Sequence, residues 1–188
     1  MNKKKDNTKQ LEIFFKIIDY FNLSDLTANH ASTLSSDKKG FYINKHKYLF
    51  SEIKKNNLNY VNLKDDYSVK YKEVNRAGFF IHKFLHSCAA KPSAILHTHS
   101  VNGVAISCLK KGFNEKLNQS SMRFYKRIEY VNYDGMVMNA EIAKKLCSNV
   151  KKNTKVIILK NHGIVMMAND IEELFHLTFH FEKCAEIQ

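Results

Sequence analysis

The sequence predicts a mixed α/β domain with helices packed on a central sheet, and three observations carry that expectation. Ala94-Ile95-Leu96 and Val156-Ile157-Ile158-Leu159 are short, continuously apolar runs, the pattern of strands covered on both faces. Segments with helical spacing of apolar residues alternate with these runs. The composition is that of an ordinary globular chain, 44% hydrophobic and 12% aromatic. A chain of 188 residues buries roughly two-thirds or more of its unfolded surface. One proline and six glycines leave little room for a flexible linker. The expectation is a single domain over 1–188, with 1–9 as a flexible basic tail.

Leu11, Phe14, Phe15, Ile17, Ile18 and Phe21 recur at helical spacing and predict an amphipathic helix over about 9–22. The stretch 26–34 is rich in β-compatible residues. Gly40-Phe41-Tyr42-Ile43-Asn44 and Lys47-Tyr48-Leu49-Phe50 read as a hairpin pair, and Tyr60-Val61-Asn62-Leu63 as a further strand. Arg76 to Lys91 reads as a helix ending just before Pro92. The apolar run at 94–96 then leads into His97-Thr98-His99, and Val101 to Leu109 into a helix. Ile128 to Tyr133 reads as a strand, Ala140 to Val150 as a helix and 156–159 as the second buried strand, with Ile164 to Ala168 its hairpin return. Asp170 caps a last helix, with Glu172 and Glu173 in its first turn.

Thirty Lys and Arg against eighteen Asp and Glu give a net charge of +12. The lysines are dispersed, and neither an arginine-rich stretch nor an aromatic RNA-binding signature accompanies them, so nucleic acid is not the expected partner. A positive field favours an anionic small-molecule substrate instead. Cys88, Cys108, Cys147 and Cys184 are widely spaced without a Cys-x-x-Cys, as free thiols in a reducing compartment are. Glu12, Lys16 and Asp19 interrupt the first apolar segment, which argues against a signal peptide, and no apolar run reaches the roughly 18 residues of a membrane span. A cytoplasmic location is expected. Phosphate-binding, dinucleotide and nucleophile-elbow glycine motifs are missing.

Residues two apart on a strand share a face, so His97 and His99 project together where a buried strand runs out. His162 stands at the same place on the other buried strand, and Gly163 after it lets the backbone turn beside a ligand. Three imidazoles can bind one divalent metal at about 2.0–2.1 Å each and leave a position open for water or substrate. Buried, hydrogen-bonded histidines are the alternative reading. His82 and His86, like His176 and His180, lie four apart on one helix and could clamp a metal. Neither pair has a third ligand at a fitting offset, so surface or packing roles are expected. His46 sits in a turn and receives no role.

Ile95-Leu96-His97-Thr98-His99-Ser100 with Gly103-Val104-Ala105-Ile106-Ser107, and Ile158-Leu159-Lys160-Asn161-His162-Gly163-Ile164, resemble the metal motif of the class II aldolase/adducin family. Asn75-Arg76-Ala77-Gly78-Phe79-Phe80-Ile81-His82 and Tyr130-Val131-Asn132-Tyr133-Asp134-Gly135 support the resemblance, which runs from about residue 10 to the end. It implies a three-layer α/β/α fold with a mixed, largely antiparallel sheet and a homo-oligomer, usually a tetramer. It also implies one Zn2+ per subunit on His97, His99 and His162, and lyase or epimerase chemistry on a sugar phosphate through a metal-stabilised enediolate. Asn29, His30 and Ser32 fall on the family's phosphate-side loop, where His30 would keep a donor in place of asparagine; with Asn44 they are the candidate substrate-binding residues.

The departures from the aldolase pattern are specific. Gly78 stands where the aldolases carry an acid/base glutamate, and Arg76 and Ala77 stand for the phosphate-binding serines. The aldolase tyrosine falls near Asn118 and Gln119, and Gln188 precedes the family's C-terminal tail. Glu73 and Tyr125 are the remaining candidates for the base, with Tyr130 and Asp134 in the same neighbourhood. A non-catalytic, adducin-like binding or scaffold domain is therefore the alternative to the enzyme.

Overall fold

The structure, a computed structural model, describes residues 6–132 and 135–188. The first helix, α1 (Asn7–Tyr20), buries Leu11, Phe14, Phe15 and Ile18, the periodic set of the sequence. It starts within the stretch expected to be tail, because Asp6 accepts the backbone N–H groups of Thr8 and Lys9 and caps it. Strands β1 (His30–Leu34), β2 (Gly40–Asn44) and β3 (Leu58–Asn62) form an antiparallel meander. The expected strand at 47–50 does not form: a turn leads into a 3-10 segment from Phe50. Phe50 goes into the core against Phe15, ring centroids 4.6 Å apart, while Leu58–Asn62 supplies the strand that pairs with β2.

The helix α2 (Arg76–Leu85) ends six residues earlier than expected, and 86–90 run on as tight turns. It is followed by β4 (Ala94–Thr98), α3 (Val101–Cys108), β5 (Ile128–Val131), α4 (Ala140–Ser148), β6 (Val156–Leu159), β7 (Gly163–Ala168) and α5 (Ile171–Ile187). The expected end of β5 at Tyr133 lies outside the described residues. The seven strands form one sheet in the order β3-β2-β1-β4-β7-β6-β5, antiparallel except for the β5–β6 pair.

Strand alternation divides the core into layers. Ala94, Leu96, Val156, Ile158, Ile164 and Met166 pack beneath α1, α3 and α5. Ile95, Ile157, Val165 and Met167 face the opposite way, against α2 and α4. A third cluster joins Leu34, Phe41 and Val61 of the meander to Phe79 of α2. This is the three-layer arrangement, with helices on both faces of the sheet. No helix of the described residues is long and apolar enough to cross a membrane.

Candidate metal centre

β4 and β7 pair with His97 opposite Val165 and Thr98 opposite Ile164, so the end of β4 lies beside the turn that joins β6 to β7. His97 and His99 come from that strand end and His162 from that turn. Nε2 of His99 is 3.0 Å from Nε2 of His97 and 2.8 Å from Nε2 of His162. One ligand atom from each of the three rings falls within 4.8 Å of the others.

Neighbouring groups fix which ring nitrogen carries the proton. His97 Nδ1 lies 2.9 Å from the Ile164 carbonyl, which can only accept, so Nδ1 is the donor and Nε2 is bare. His99 Nδ1 faces the Asp25 carboxylate at 3.2 Å, which places a proton on Nδ1 of that ring. When both rings are neutral, their Nε2 atoms face each other at 3.0 Å as two lone pairs with no proton between them. A cation between them satisfies both lone pairs, and a second group orienting each ring is the usual support of a ligating histidine. The donor set therefore fits a divalent metal. Burial holds His97 well below the ordinary histidine range, with His30 and its other neighbours adding to the effect; burial and then His99 bring His162 to about 4.

The His162 turn is held from α3. Ser107 Oγ accepts the His162 N–H at 3.1 Å, and the Ser107 carbonyl accepts the Asn161 N–H at 3.0 Å. Asn161, at φ 58°, makes the left-handed step of the turn, not Gly163. Gly163 is required for space instead: an added Cβ would lie 2.7 Å from the Thr98 carbonyl oxygen and 3.1 Å from the His99 ring.

Asn29 is buried beside the cluster. Its Oδ1 accepts the His99 N–H at 2.8 Å, and its Nδ2 is a buried donor without a partner among the described residues. Asn44 spends both ends of its amide on scaffolding, accepting from Ala31 N–H and donating to the Asn29 carbonyl. His30 stands opposite His97 in the β1–β4 register, ring centroids 4.9 Å apart, and bonds His82. Ser32 touches His82 and His86. His82 of α2 and the C-cap residue His86 are thus buried packing partners, whereas His176 and the turn residue His46 are exposed.

The two candidate bases are engaged elsewhere. The Glu73 carboxylate is paired with Lys45 at 2.6 Å and Lys47 at 2.7 Å, which hold it down at about 2, too acidic for a general base near neutrality. Tyr125 ends a 3-10 segment with the ammonium groups of Lys116 and Lys126 over its ring, at 5.2 and 5.3 Å. Tyr130 accepts the Phe113 N–H and fills the space over Gly112. Asp134 lies outside the described residues. Sequence reasoning gave no role to Asp25, or to Ser107 within its motif stretch, although they contact the clustered histidines.

The profile of the family described as Class II Aldolase and Adducin N-terminal domain matches residues 10–188. Alpha-adducin of Rattus norvegicus is 29% identical over 183 residues, covering 95% of this chain and 25% of the adducin, so the chain spans about a quarter of that relative's length. An aldolase II superfamily protein from Pseudomonas syringae superposes with a TM-score of 0.86 at 26% identity, covering 97% of this chain and 74% of that one. An L-fuculose 1-phosphate aldolase from Glaciozyma antarctica PI12 has the same fold, with a TM-score of 0.82 at 24% identity over 97% of this chain and 71% of that one. The fold, the paired histidine motifs and the matched profile agree, and the chain belongs to the class II aldolase and adducin N-terminal domain family.

Proposed function

We propose that the protein is a zinc-dependent, aldolase-like lyase or epimerase acting on a small phosphorylated hydroxy-carbonyl compound. The observation that carries this reading is the convergence of three ring nitrogens, Nε2 of His99 lying 3.0 Å from that of His97 and 2.8 Å from that of His162. His97, His99 and His162 would hold the ion, and a bound zinc supplies Lewis-acid polarisation of a carbonyl and charge stabilisation beside it. The Asn29 Nδ2 donor is free to bind a substrate oxygen next to that centre. The net charge of +12 favours an anionic substrate, and an L-fuculose 1-phosphate aldolase among the structural neighbours is in keeping with a sugar phosphate. A cytoplasmic homo-oligomer, a tetramer by family resemblance, belongs to the same reading.

A second reading is a non-catalytic, adducin-like scaffold that retains the centre. Gly78 at the position of the aldolase carboxylate and the 29% identity to alpha-adducin favour it. Elemental analysis of the native protein beside His97→Ala and His162→Ala, combined with retro-aldol and epimerase assays on a panel of hydroxy-carbonyl phosphates, separates the two. The enzyme reading expects one zinc per chain, lost in both variants, and turnover that falls on chelation and returns with zinc. Fully metallated protein without turnover on the panel favours the scaffold, and native protein without metal overturns the centre itself.

A further inference from the structure

Behind the His97 face of the sheet runs a buried chain of polar groups outside the metal cluster. Strand β1 offers His30 and Ser32, two apart on one face, and helix α2 lays His82, with the C-cap residue His86 four positions on, over them. His86 Nδ1 is 2.9 Å from the Pro92 carbonyl, and His86 Nε2 is 2.8 Å from Ser32 Oγ. Ser32 Oγ is 2.5 Å from His82 Nδ1, and His82 Nε2 is 2.7 Å from His30 Nδ1. All four residues are almost fully buried. Burial this deep keeps imidazoles neutral, and His86 at the start of the chain falls to about 4.

With neutral rings, one carbonyl sets the direction of every bond. The Pro92 oxygen only accepts, so His86 carries its proton on Nδ1 and leaves Nε2 bare. Ser32 must then donate its hydroxyl proton to His86 and accept from His82 Nδ1. That leaves His82 Nε2 bare, so His30 donates from Nδ1. The remaining nitrogen, His30 Nε2, has a lone pair and no hydrogen-bond partner among the described residues. Its ring lies against that of His97 on one side and against Gly78 on another, where an added Cβ would come within 3.2 Å of Nε2.

We infer that the Pro92–His86–Ser32–His82 relay fixes His30 as a hydrogen-bond acceptor that selects a ligand hydroxyl beside the histidine cluster. The direction is set by the Pro92 carbonyl and involves no change of charge on any ring. The ligand class is narrowed accordingly: a carbonyl compound with a neighbouring O–H donor fits His30 Nε2, and an ether or a second carbonyl at that position does not. The ligand role rests on the reading of the site as a hydroxy-carbonyl site, whereas the proton pattern does not depend on it.

The test is long-range 1H–15N NMR on histidine-labelled, zinc-loaded protein, with hydroxyacetone and methoxyacetone as probes. The expected pattern has protons on Nδ1 and bare Nε2 in His30, His82 and His86. Hydroxyacetone is expected to bind about 2- to 10-fold more tightly than its methyl ether, the range of one neutral hydrogen bond. Ser32→Ala removes the link and is expected to move the His30 proton toward Nε2 and erase the preference, and Ser32→Thr to restore both. A proton on His30 Nε2 in the wild type overturns the relay, and this readout needs no variant to fold. The expected proton pattern with equal binding of the two probes overturns the acceptor role. Failure of both probes to bind protein that elemental analysis finds zinc-loaded also overturns that role, whereas absence of zinc marks failure of the parent reading.

Discussion

Gly78 shows at a single residue how the site departs from the aldolase pattern. It occupies the first turn of α2, where glycine is ordinarily a poor choice and alanine gains about 0.5–1 kcal/mol. An added Cβ would sit 3.0 Å from two atoms of the His30 ring and 3.2 Å from a third. That ring cannot retreat easily, being buried, bonded to His82 and packed on His97. Overpacking of this kind typically costs about 1–3 kcal/mol, so the steric term wins. Gly78→Ala is expected to lower stability by about 1 kcal/mol in urea unfolding, against the helix propensity. In a His30→Ala background the same substitution should be neutral or slightly stabilising, and a double-mutant cycle reads the coupling. Equal effects in the two backgrounds would mean that His30 does not fill the space over Gly78.

At the scale of elements, the turn between β6 and β7 that carries His162 is held by α3 and not by its own hydrogen bonds alone. Ser107 receives both the His162 and the Asn161 N–H groups. Ser107→Ala deletes the first of these bonds and leaves the helix intact, so His162 should lose its fixed orientation. Loss of such support typically costs about 10- to 100-fold in metal affinity. Zinc competition titration is expected to fall in that range, and an unchanged affinity would show that the turn holds itself. The sequence places Ser107 in a family-like stretch but not against His162, because nothing in a serine 55 positions before a histidine signals a contact. What was legible were the elements whose pattern is local: the runs at 94–98 and 156–159, the helical spacing of Leu11, Phe14, Phe15 and Ile18, and the cap at Asp170. The failures arose where tertiary partners decide. Lys47–Phe50 is β-compatible, yet Phe50 finds a better place against Phe15. Helical composition continues past Leu85, yet His86 bonds the Pro92 carbonyl and the chain turns. The clustering of His97, His99 and His162 was visible because they stand where two strands run out, but the His86–Ser32–His82–His30 relay appears only when a strand is laid under helix α2 and its C-cap.

For the whole molecule, the layered fold places neutral imidazoles deep between sheet and helix, and this sets its response to acid. Burial pushes His86 from 6.5 down to about 4 and moves His30 and His82 in the same direction. Between those limits the unfolded chain binds protons that the folded chain refuses, so unfolding is favoured as pH falls. The stability from each ring is complete above about 6.5 and is lost on descent to the folded value, about 3 kcal/mol for His86 alone. The buried Glu182 opposes this: burial raises its carboxyl above 4.5, so it contributes stability at low pH that is lost as pH rises. The three relay rings, with His97 and His162 beside them in metal-free protein, outnumber that one carboxyl, and protonation adds to a chain already carrying +12. Glu73 acts mainly below this window, since the stability from its two lysines is lost only as pH falls from about 4.5 toward 2. The urea midpoint of chelator-treated protein is therefore expected to fall steadily between about pH 6.5 and 4. His86→Gln, which keeps hydrogen-bonding capacity without a titrating ring, should flatten the slope. A wild-type midpoint that holds constant across that interval would mean that the rings of the relay are not kept neutral, and with it the direction of the His86–Ser32–His82–His30 chain would be lost.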